Sequence, residues 1–180
     1  MIVKEFLSIY QNDGIVQSIS DKITTSKPGE SLHLKGLCGS LDTVLMSALL
    51  QEKEPFLIIC EEKEEAQYIY NDLQALIGDT AVILFPMSHK KPYEWEEVDN
   101  ANVLLRAEVL NILSNYSGQS LAIVTYPAAM TEKVINRKSL VKNTLSIRVG
   151  DKIDRNFVAE TLNEYDFERT DFVYEAGQYS

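Results

Sequence analysis

Short uninterrupted apolar runs punctuate the chain at Phe56–Cys60, Ala81–Phe85 and Leu121–Val124. Runs of this length and continuity predict strands of a parallel sheet, buried on both faces by helices. Ser31–Leu37 is more mixed. Leu32 and Leu34 alternate there with His33 and Lys35, as in an edge or entry strand. The expected sheet therefore contains Ser31–Leu37, Phe56–Cys60, Ala81–Phe85 and Leu121–Tyr126.

Between these runs the apolar period lengthens to that of a helix. Leu41, Val44, Leu45, Ala48 and Leu49 follow Ser40, which reads as an N-cap. Ala66, Ile69, Tyr70, Leu73 and Leu76 mark a helix within Glu62–Ile77, and Val103, Ala107, Leu110 and Leu113 mark another within Asn100–Leu113. Pro127 suits the first position of a shorter helix running to about Ile135. Strands and helices alternating at this spacing predict an α/β fold with right-handed crossovers.

Two stretches break the rhythm. Pro86–Asp99 holds two prolines, the only Trp and mixed charge without periodicity, and predicts a long ordered surface loop anchored by Tyr93 and Trp95. Beyond Gly150 the composition changes. Leu145, Ile147 and Val149 alternate, Asp154–Tyr165 is helical in pattern, and Thr170–Glu175 reads as a strand with Phe172 and Tyr174 on one face. This is a strand-helix-strand unit whose sheet stops short at Ser180.

Charge sharpens that boundary. The 180 residues carry a net charge of −10, which repels phosphate backbones and makes the chain a poor autonomous DNA binder. Lys133–Arg148 nevertheless holds five basic residues (Lys133, Arg137, Lys138, Lys142, Arg148) and no acidic one. From Asp151 to Ser180 there are eight acidic residues against three basic, half the net charge in a sixth of the length. The basic run fits either a solvated linker or a partner or nucleic-acid contact. With no apolar run near 20 residues and no basic-then-apolar leader, neither a membrane segment nor a secretion signal is expected. Cys38 and Cys60 stand in no metal or redox spacing, as in a cytosolic protein, and the isolated His33 and His89 support no metal site.

Little else suggests chemistry. Gly36-Leu37-Cys38-Gly39-Ser40-Leu41-Asp42-Thr43 lies between a predicted strand and helix, where a phosphate loop would lie. Such a loop needs G-x-x-x-x-G-K-[ST], whose second glycine lets backbone amides close on phosphate while the lysine neutralises it. Leu41 occupies the glycine position and Asp42 the lysine position, so only Gly36 and Thr43 keep the pattern. A carboxylate aimed at a triphosphate opposes binding, and no nucleotide cofactor is expected. Glu61, Glu62, Glu64 and Glu65 suit the first turn of a helix, where negative charge meets the macrodipole favourably. Glu94, Glu96 and Glu97 read as a solvated loop. No Ser/His/Asp set or G-x-S-x-G elbow is evident, so no catalytic residue is assigned.

The run LSIRVGDKIDRNF from Leu145 to Phe157, continued by YDFERTDFVYEAGQYS from Tyr165 to Ser180, resembles the start of the second domain of UvrB-type proteins. The first half, with Gly36–Thr43, Phe56–Cys60 and Pro92–Trp95, is similar to the N-terminal UvrB-homology module of the bacterial transcription-repair coupling factor (Mfd). UvrB keeps an intact phosphate loop and inserts a long DNA-clamping aromatic hairpin ahead of the third apolar run. This chain has Leu41 and Asp42 in the loop, and Pro86–Asp99 is too short and acidic for the hairpin.

The resemblance implies a UvrB-like, degenerate RecA-like first domain over residues 1–144 and the start of a small α+β second domain over 145–180. It also implies an adaptor that recruits UvrA to stalled RNA polymerase in nucleotide excision repair. The translocase motor and polymerase-binding domain of that family lie far downstream. The family's principal UvrA-contacting arginine is expected just past Ser180, which leaves Tyr174, Glu175, Gln178 and Tyr179 as the nearest partner-binding positions. A cytoplasmic monomer without cofactor or metal is expected. A stand-alone α/β enzyme, a nucleotide-sensing domain and a UvrB fragment are the alternatives.

Overall fold

The computed structural model describes residues 3–50, 55–78, 81–89, 99–142, 144–145, 147–165, 167–174 and 177–180. They form two compact units: Met1–Pro86 with Asn115–Pro127, and Met87–Ser114 with Ala128–Ser180.

The first unit contains α1 (Val3–Gln11), α2 (Gly14–Thr25), α3 (Leu41–Leu49), β1 (Pro55–Ile59), α4 (Lys63–Ile77), β2 (Val82–Leu84) and β3 (Leu121–Thr125). The sheet is parallel throughout, in the order β1-β3-β2. Phe56 pairs with Ala122 on one side of β3, and Val82 pairs with the same residue on the other. The fold is therefore α/β, with a small parallel sheet flanked by helices. Three of the four expected strands are present, in the expected direction.

The three apolar runs are buried to different extents. All five residues of central β3 are buried. At the edge, β1 alternates, with Leu57 and Ile59 more than half exposed. The expectation that every run lies buried on both faces thus fails for β1, whereas β2, the other edge strand, keeps Val82 and Leu84 buried where α4 packs on it. Ser31–Leu37 is not a strand. Every residue from 31 to 37 is exposed and without regular structure, so its alternating leucines find no ladder to join.

Helix α4 packs against β2 and β3, α3 against α4, and α1 and α2 against α3. Leu73 and Ala66, both fully buried, carry the α4 contact. Val16, Leu45, Ala48 and Leu49 form an interhelical cluster flanked by Tyr10 and Ile19. The Asp13 carboxylate caps α2, accepting from the Ile15 and Val16 amides at 2.8 and 3.3 Å. Ser40 occupies the N-cap of α3 but makes no side-chain capping bond. At the other end of α4, Gly78 adopts φ +92°, a left-handed conformation that a side chain would strain.

The second unit contains α5 (Asn100–Ser114), α6 (Pro127–Thr131, whose Pro127 is counted with the first unit), α7 (Arg137–Lys142), α8 (Arg155–Glu164), β4 (Glu168–Arg169) and β5 (Gln178–Tyr179). Helix α6 ends four residues earlier than expected. The alternation at Leu145, Ile147 and Val149 gives no strand among the described residues. The expected strand at Thr170–Glu175 is replaced by Glu168–Arg169, paired in parallel with Gln178–Tyr179. The Thr170 amide still donates to the Tyr179 carbonyl at 2.9 Å, and beyond it the chain leaves the ladder where the Thr170 hydroxyl donates to the Phe172 carbonyl at 2.9 Å and closes a local turn. Most of the expected loop Pro86–Asp99, including Tyr93, Glu94, Trp95, Glu96 and Glu97, lies outside the described residues.

Replacing Leu73 by alanine should cost about 2–5 kcal/mol of stability, because a fully buried side chain leaves a cavity. Leu57→Ala, at a site 55% exposed, should cost under about 1 kcal/mol. Urea denaturation followed by far-UV circular dichroism distinguishes the two.

Candidate functional site

The loop entering α3 is built by two glycines in left-handed conformations, Gly36 at φ +83° and Gly39 at φ +60°. The Leu41 amide donates to the Cys38 carbonyl at 3.3 Å, which closes the turn, and the helix then begins. Asp42 faces inward on its own helix end. Its Oδ1 accepts from the Thr43 amide at 2.7 Å and from the Thr43 hydroxyl at 3.3 Å. A donor that a phosphate loop would present to a ligand is thus already taken by a carboxylate. Thr43, the other retained motif residue, is itself buried.

A cleft of about 360 Å³ opens beside this turn, lined by Gly39, Asp42, Thr43, Glu65, Tyr68 and Asp72, among others. Its charged lining residues are three carboxylates. Glu65 is held in place, because its Oε2 accepts from the Glu61 amide at 2.6 Å. Cys60, which follows β1, senses the resulting field. Burial, then the charges of Glu65 and Asp42, push its thiol up to about 11. Three carboxylates lining one cleft disfavour a polyanion there. Among the described residues no group of three or more His, Cys, Asp or Glu side chains is placed to hold a metal ion.

The other candidate positions lie in the second unit. Tyr174 is 83% exposed, and its ring sits 6.4 Å from that of Phe172. Its amide donates to Oε1 of Gln178 at 3.0 Å, so Gln178 fastens the turn. Tyr179 is half-buried, with its hydroxyl donating to Oδ1 of Asn163 on α8 at 3.0 Å. Glu175 lies outside the described residues. Of these positions, Tyr174 offers a free aromatic surface, whereas Gln178 and Tyr179 are engaged within the fold.

Sequence reasoning missed a polar cluster in the same unit. Arg106, 7% exposed on α5, donates to the Ala129 carbonyl at 3.0 Å and pairs with Glu132 at 3.4 Å. Glu132 in turn accepts from the Ser88 amide at 2.9 Å and hydroxyl at 2.7 Å. The Asp99 amide donates to the Ser88 carbonyl at 2.8 Å, which ties the start of α5 to the same point. Only the apolar setting of Arg106 among Leu104, Leu105, Val109 and Leu110 hints at it in the sequence.

No protein-family model matches the chain. It is 30% identical over 149 residues to the transcription-repair-coupling factor of Bacillus subtilis, covering 82% of this chain and 12% of that protein. It is 27% identical over 175 residues to the UvrABC system protein B of Metamycoplasma arthritidis, covering 91% of this chain and 26% of the relative. The Enterococcus faecalis UvrABC system protein B is 25% identical over a similar span. The chain thus spans about an eighth to a quarter of the length of the relatives it matches. These similarities support a UvrB-homology module of a transcription-repair-coupling factor.

With its thiol at about 11, Cys60 is ionised at pH 8 in about one molecule per thousand. Iodoacetamide at that pH should therefore modify exposed Cys38 long before Cys60. Asp42→Asn and Glu65→Gln should each lower the Cys60 pKa and speed its alkylation, read by peptide mass spectrometry.

Proposed function

We propose that this chain is the N-terminal adaptor region of a transcription-repair-coupling factor, which recruits UvrA to stalled RNA polymerase in nucleotide excision repair. In this reading residues 1–144 are a UvrB-like first domain that has lost its nucleotide, and residues 145–180 begin the UvrA-docking domain. The segment itself is non-catalytic. ATP-driven translocation on DNA and polymerase binding belong to the rest of the longer protein, which acts in the cytoplasm.

The observation that carries the reading is Asp42. It stands at the lysine position of a phosphate loop, with its carboxylate on the Thr43 amide and two further carboxylates lining the adjoining cleft. A UvrB-like surface then serves recognition without nucleotide chemistry. Similarity to both kinds of repair protein along most of the chain supports this, since such a module can present a UvrB-like face to UvrA. The described helices add no membrane span, as none is long and apolar enough to cross one.

Isothermal titration with millimolar Mg-ATP should give no heat above dilution, and saturable micromolar binding would refute the loss of the nucleotide site. Surface plasmon resonance should detect weak UvrA binding by these 180 residues and tighter binding by a chain extended to complete the second domain. Supplying the missing member of a buried charge pair is worth about 2–5 kcal/mol, or roughly 30- to 3,000-fold in affinity. Equal binding by the two lengths would place the UvrA contact elsewhere.

A further inference from the structure

We draw no further inference here: the strongest candidate, the exposed aromatic patch of Phe172 and Tyr174 on the turn between β4 and β5, carries nothing, because nothing among the described residues shows what covers it.

Discussion

The sheet depends on the carboxyl end of its central strand, where one buried polar residue joins three chain segments. Thr125 is 1% exposed. Its hydroxyl donates to the Phe85 carbonyl at 2.8 Å, just beyond β2, and its carbonyl accepts from the Cys60 amide at 2.9 Å, just beyond β1. The Phe85 amide donates in turn to the Val124 carbonyl at 2.8 Å. A valine of similar shape would fill the space but forfeit the hydroxyl's bond to the Phe85 carbonyl, worth about 0.5–1.5 kcal/mol. The parallel register of both neighbours is thereby fixed at one residue, and the turn that places Cys60 near Asp42 and Glu65 follows from it.

The same geometry explains why the turn before α3 is electrostatically unsuited to phosphate. A helix N-terminus attracts anions through its free amides. In α3 the chain supplies its own anion, Asp42, and α4 brings Glu65 alongside. The site is thus internally satisfied, and its residual field is negative. A neutral residue at this position would merely fail to attract phosphate, whereas the Asp42 carboxylate repels it.

Much of this was legible in the sequence where local pattern and tertiary position agree. The runs ending at Cys60, Phe85 and Val124 are strands because apolar continuity suits a parallel ladder, and the periodic segments at Leu41–Leu49, Lys63–Ile77 and Asn100–Ser114 are helices. Ser31–Leu37 shows the limit: alternation makes a strand only where an edge is available to pair it. Helices α1 and α2 went unread, although Leu7 and Tyr10, then Asp13, Val16 and Ile19, carry an amphipathic stripe and a cap. The loop residues Gly36, Gly39, Leu41, Asp42 and Thr43 were readable from spacing alone, whereas the cleft carboxylate Asp72 depends on α4 packing beside α3. Arg106 and Glu132 could not be paired from sequence, because 26 positions separate them and no periodicity relates them.

The bond from the Asp99 amide to the Ser88 carbonyl, backed by Glu132 on Ser88 and by Asp99 capping α5 through the Ala101 amide, acts as a socket. Whatever the chain does between these two residues, it leaves and returns at fixed points. Lengthening a tethered excursion costs only about 0.6 kcal/mol per doubling. This position is therefore where evolution, or an engineer, can exchange one insert for another of quite different size without disturbing the helix that follows.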